Sequence, residues 1–103
     1  MKFINSKGYK EVVAESDKEE VLCDWINVDV QNEPFVIEEA EGLCSMLFTR
    51  EAPMIGNRYK AFSENEKIFI SKSPVTNNDC ESFTSYNLDE VKRAIELWKD
   101  YLK

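Results

Sequence analysis

The clearest hydrophobic pattern lies at the C-terminal end of the chain. Val91, Ala94, Ile95, Trp98, Tyr101 and Leu102 recur at three- and four-residue spacing, with Lys92, Arg93, Glu96, Lys99 and Asp100 between them. That spacing predicts an amphipathic helix over about 88–102. Asn87-Leu88-Asp89-Glu90 ahead of it offers an N-cap and a carboxylate three residues on, the pair that satisfies orphan amides reciprocally. Asp89 and Glu90 at the start, and Lys99 and Lys103 at the end, also suit the helix dipole.

Upstream the period changes to two. Phe35 and Ile37 alternate with Val36 and Glu38, and Cys44, Met46 and Phe48 alternate with Ser45, Leu47 and Thr49. Glu39-Ala40-Glu41-Gly42 reads as the turn between them, and Pro53-Met54-Ile55-Gly56-Asn57 as the next reversal. Residues 58–62 and 67–71 then form a hairpin over Ser63-Glu64-Asn65-Glu66. Connections this short allow antiparallel neighbours only, so 34–72 is expected to be a four-stranded meander. A further strand is expected from Ser82 to Tyr86.

The first third carries mixed signals. Residues 1–5 and 9–14 read as two strands joined across Ser6-Lys7-Gly8. Ser16-Asp17-Lys18-Glu19 fits a capping box, with Val21, Leu22, Trp25 and Ile26 following at helical spacing. Trp25 to Val30 nevertheless alternates with period two. A helix over 17–24 running into a strand at 25–30 satisfies both patterns. The expected fold class is therefore α+β: a mostly antiparallel β-sheet of about five to seven strands, packed on one face by the C-terminal helix. At 103 residues the expectation is one domain, 1–103.

Composition narrows the chemistry. There is no histidine, the side chain that most often serves as neutral-pH base and transition-metal ligand, so Ser-His-Asp and Cys-His machinery is excluded. Cys23, Cys44 and Cys80 are 21 and 36 residues apart and form no C-x-x-C pair. Reduced thiols in a cytoplasmic protein are the plain reading, with one bridge among the three left open. Gly8, Gly42 and Gly56 stand too far apart for a phosphate-cradling loop. Glu38, Glu39 and Glu41 could be imagined as paired acid and base, but a chain this short has little material for cleft walls. Asn77, Asn78, Asp79 and Glu81 lack the spacing of a calcium loop and read as a solvated turn. No enzyme activity, cofactor or metal is expected, and the short apolar runs predict no membrane span.

The charge is unevenly placed. Between Glu11 and Glu41 eleven acids face one base, Lys18, for a net charge of −10, while the other 72 residues carry +3. Crowded like charges cost stability, so a segregated acidic field points to a cationic partner. Such a field repels nucleic acid and anionic membranes but attracts a protein whose basic cleft is built to hold phosphates. The candidate partner-binding residues are Asp17, Glu19, Glu20, Asp24, Asp29, Glu33, Glu38, Glu39 and Glu41. Trp25 is the candidate aromatic anchor if 25–30 is a strand, and a core residue if it is helical.

In its small size, acidity and lack of histidine, this chain resembles the immunity proteins of bacterial toxin systems. The resemblance implies a cytoplasmic inhibitor that covers the phosphate-binding active-site cleft of a cognate basic toxin, a nuclease above all, as a monomer in a 1:1 complex. One alternative shares the physics: a phage-encoded nucleic-acid mimic that inhibits a host defence nuclease. Another differs in kind. Arg58, Lys60, Lys67 and Lys72 interleave with Tyr59, Phe62 and Phe69, which could form a stacking surface for single-stranded RNA.

Overall fold

The computed structural model describes residues 1–72 and 83–103. Two antiparallel sheets and three α-helices make up its regular structure, an α+β arrangement with the C-terminal helix packed on the larger sheet. The readings at Cys80 and at 77–81, and the start of a strand at Ser82, lie outside the described residues.

Strands β1 (Lys2–Ser6) and β2 (Tyr9–Val13) form the expected hairpin. Its turn places Lys7 and Gly8 at φ 53° and 86°, the paired positive values that match strand twist. The outer rim of β2 is met by one side chain. Asn27 accepts from the Val12 N–H at 2.9 Å and donates through Nδ2 to the Val12 carbonyl at 2.7 Å. Phe3 from β1 lies against Trp98 and Tyr101, with ring centroids 6.3 and 5.4 Å apart.

Residues 17–30 are helical throughout, so the strand expected at 25–30 is corrected. A 3₁₀ turn (Asp17–Glu19) leads into α1 (Glu20–Trp25) and then a π-helical turn (Ile26–Val30). Leu22, Cys23, Trp25, Ile26, Asp29 and Val30 are all buried, a helical period that outweighs the local alternation because it buries two faces' worth of apolar volume against the core. The capping box also differs in detail. Glu19 Oε1 accepts from the Glu15 N–H at 3.0 Å, and Ser16 contributes its carbonyl, to Glu19 N–H at 3.1 Å. The π turn closes with Gln31 N–H on the Ile26 carbonyl at 2.7 Å. Gln31 is left at φ 51°, ψ −150°, a region that non-glycine residues rarely adopt. The buried indole of Trp98 holds it there by donating to the Gln31 carbonyl at 2.9 Å.

The second correction concerns the two strands expected within 35–49. Residues Pro34–Cys44 form helix α2. Pro34 at the first helical turn is preorganised for entry, and Ile37, Ala40 and Leu43 bury at three-residue steps. The β-branched pair Val36-Ile37 imitates strand composition, but Glu38, Glu39, Ala40, Glu41 and Leu43 favour the helix. The helix ends in a Schellman reversal. Met46 adopts φ 65°, its N–H donates to the Leu43 carbonyl at 3.1 Å, and Leu47 N–H donates to the Gly42 carbonyl at 2.9 Å. Leu47 is thereby folded back along the helix.

The meander therefore begins later than expected. Strands β3 (Met54–Ile55), β4 (Tyr59–Glu64), β5 (Lys67–Lys72) and β6 (Thr84–Asn87) lie side by side in chain order, all antiparallel. The expected hairpin is present, but its turn is Asn65 and Glu66 alone, at φ 53° and 62°, because Ser63 and Glu64 pair with Ile68 and Lys67. Helix α3 (Leu88–Leu102) follows directly, its start closed by the Asn87–Glu90 capping box. Val91, Ala94, Ile95 and Trp98 pack with Ile37, Ala40 and Leu43 of α2 and with Ala61, Ile68 and Ile70 of the sheet in one buried cluster. Trp25 and Trp98 both lie in it, each removing roughly 150–250 Å² from water.

The left-handed residue at position 46 yields a direct test. Met46→Gly removes a steric penalty of about 1–2 kcal/mol, so unfolding in urea should shift to a higher midpoint. An unchanged midpoint would contradict the reversal described for α2.

Candidate functional site

The acidic stretch is spread over β2, α1, the π turn and α2, and its members differ in fate. Asp29 is 4% exposed. Its Oδ1 accepts from the Arg58 N–H and its Oδ2 from the Tyr59 N–H, both at 2.9 Å. The turn it grips closes with Gly56 N–H on the Tyr59 carbonyl at 2.8 Å. A Cβ at position 56 would sit 2.3 Å from Asp29 Oδ2, so only glycine admits the carboxylate. Asp29 is thus an internal acceptor for main-chain amides, not a surface charge.

Asp24, one helical turn earlier, reaches the same turn through side chains. Its Oδ2 accepts from Tyr59 Oη at 2.5 Å and from Arg58 Nη1 at 3.0 Å. The Asp24 hydrogen bond holds the Arg58 guanidinium above its usual range. Burial, reinforced by Asp24, pushes the Tyr59 hydroxyl up to about 12. Glu19 and Glu15 lie 2.7 and 2.6 Å from the Met1 ammonium, whose hydrogen bond keeps the Glu19 carboxyl below the usual carboxylate range. Glu41 pairs with Lys99 at 2.8 Å. Four of the nine candidate carboxylates are therefore spent within the fold.

Trp25, 1% exposed, takes the core position that the helical reading gave it. A surface-anchor role is corrected, since the indole sits on the same helical face as Leu22 and Ile26. Among the described residues Asp17, Glu20, Glu33, Glu38 and Glu39 form no ion pair. They fall into two groups: Asp17 and Glu20 at the start of α1, and Glu33, Glu38 and Glu39 along α2.

The α2 group has apolar company that the strand reading concealed. Phe35 is 71% exposed and Leu47 73%. A helical period over 34–44 would have revealed Phe35. With Ile37, Ala40 and Leu43 turned inward, Phe35, Glu38 and Gly42 fall on the opposite side. The rings of the 58–72 hairpin, by contrast, are used inside the protein. Tyr59 is buried against Asp24, and Phe62 is buried between Phe69, Phe83 and Arg50, at centroid distances of 5.2, 5.3 and 4.6 Å. Those two rings are not free to stack on bases.

Cys23 and Cys44 are free thiols, and burial pushes both up to about 11, far from the depressed values of reactive cysteines. Among the described residues no group of three or more potential ligands could hold a metal ion, and no helix is long and apolar enough to cross a membrane.

Two tests follow from the Asp29–Tyr59 corner. Asp29→Ala strands the buried Tyr59 amide and the part-buried Arg58 amide and should cost about 1–4 kcal/mol in urea unfolding, with Asp29→Asn costing less because one acceptor oxygen remains. The second test is alkaline. The unfolded chain releases the Tyr59 proton near 10 while the folded chain keeps it to about 12, so the folded state holds the extra proton in that window. Its stabilising share is full below pH 10 and is lost as pH rises towards 12. Stability curves of wild type and Tyr59→Phe should converge over that range, and parallel curves would contradict the assignment.

No family model, no curated protein and no solved structure matches this chain.

Proposed function

We propose that this protein is a small acidic inhibitor, an immunity protein in kind, that binds and neutralises a cognate basic toxin domain. The observation that carries the reading is on α2. Glu33, Glu38 and Glu39 form no ion pair among the described residues, and no lysine or arginine occurs between positions 33 and 49. Spaced along one helix, carboxylates can stand in for the backbone phosphates of a nucleic acid, so a nuclease with a phosphate-binding cleft is the favoured partner class. Asp17 and Glu20 extend the field and steer encounter.

Electrostatic steering raises association by about ten- to a thousandfold at low salt, an advantage when the target is lethal. The proposed complex is 1:1, with the chain as a monomer in the cytoplasm, where the reduced state of Cys23 and Cys44 fits. Neither catalysis, a cofactor nor direct nucleic-acid or membrane binding belongs to this reading. A phage-encoded nucleic-acid mimic would use the same surface, and a prophage gene neighbourhood would favour it.

The test is titration of the purified chain against the C-terminal domain of an exported toxin encoded beside it. Binding should abolish nuclease activity, and its association rate should fall by about tenfold or more as salt rises from low to physiological levels. Absent or salt-independent binding would overturn the proposal.

A further inference from the structure

On the outer side of α2, two large apolar side chains stand at either end of a row of carboxylates. Phe35 opens the row, Glu38 and Glu39 follow at one helical turn, and Gly42 comes at two. The Schellman reversal then lays Leu47 over Gly42. A Cβ at position 42 would lie 3.3 Å from Leu47 Cδ1 and 3.6 Å from Phe48 Cε2, so the glycine is what lets Leu47 lie down on this face of the helix. Phe35 and Gly42 are seven residues apart, about 10 Å along the axis.

Isolated exposed apolar residues need no explanation. This pair is different because the same helix face carries both, and Met46 beside them is also exposed. Among the described residues the other exposed large apolar side chains, Tyr9, Val13 and Ile55, lie on β2 and β3. An apolar anchor ringed by polar groups is the arrangement of an interface hot spot.

Resting on the inhibitor reading above, we infer that this face of α2 is the docking site, and that its occupant is a basic, amphipathic segment of the partner protein. Charge complementarity selects the occupant. Glu38 and Glu39 receive arginine or lysine, and the Phe35 ring offers its face to a guanidinium, a contact that acidic neighbours strengthen. An aliphatic side chain of the segment packs on the exposed Leu47. Glu41, at the border of the face, is already paired with Lys99 and takes no part.

The probe is a phage-displayed random peptide library panned on the whole chain. Wild type should enrich peptides that combine lysine or arginine with a large apolar residue. Their affinity should fall about tenfold or more on Phe35→Ala and on Leu47→Ala, and stay unchanged on the control Tyr9→Ser, an exposed side chain on β2. Both anchors are more than two-thirds exposed, so these variants should keep the wild-type thermal transition. Joint Glu38→Lys and Glu39→Lys, which touches neither anchor, should turn the enriched set acidic. Equal enrichment on wild type and on the double anchor variant, enrichment without basic residues, or self-association of wild type that Phe35→Ala abolishes would overturn the inference. The two proposals fail separately. A toxin domain that binds wild type and Phe35→Ala equally sinks this docking face alone, whereas successful panning without toxin binding sinks the inhibitor reading alone.

Discussion

A single buried carboxylate ties the helical half of this protein to its sheet. Asp29 takes two main-chain amides from the corner that starts β4, and it can do so only because residue 56 has no side chain. Hydrogen bonds to a charged acceptor are among the stronger ones available to a fold. Their geometry also sets what lies on either side. The π turn widens the helix by one residue per turn just where Asp29 must reach inward, and the strain appears immediately after, at Gln31. Trp98 from α3 then clasps that strained residue through its carbonyl. Three segments far apart in sequence are thus fixed to one another by polar contacts within an apolar core.

The same corner changes how the acidity of the chain should be understood. A sequence records carboxylates as equal charges, but here they have three different employments. Asp29 acts as a backbone acceptor, Asp24, Glu19 and Glu41 pair with the chain's own cations, and Asp17, Glu20, Glu33, Glu38 and Glu39 form no ion pair among the described residues. The segregation of charge along the chain is in part the cost of building the polar joints of the N-terminal half. What remains unpaired is smaller than a field of ten charges.

Much of the architecture could be read from the sequence. Helix α3, both tight hairpins and the α+β class follow from periodicity, caps and short connections, because in those elements local preference and tertiary burial agree. Residues 25–30 and 34–49 depart from the expected strands for a shared reason. Alternation over four to six residues is too short a signal to separate a strand from a helix whose buried face includes β-branched residues. At 34–44 the decisive positions are Ile37, Ala40 and Leu43, and the middle one is a small residue that gives little hydrophobic signal. Misreading that helix also hid Phe35, whose exposure has meaning only once it shares a face with Glu38 and Gly42. Nor could sequence have shown that Asp29 is internal, since the amides it serves lie 29 and 30 positions away.

The contact between Asn27 and Val12 has a consequence for the N-terminal ribbon. Val12 is the one fully buried residue of β2, flanked by the exposed Glu11 and Val13. A slip of one position would turn the wrong side of the ribbon inward and offer Asn27 a peptide unit whose polar groups face the other strand. One amide side chain therefore works as a ratchet pawl: it lets the hairpin seat in a single alignment and rejects its nearest neighbours.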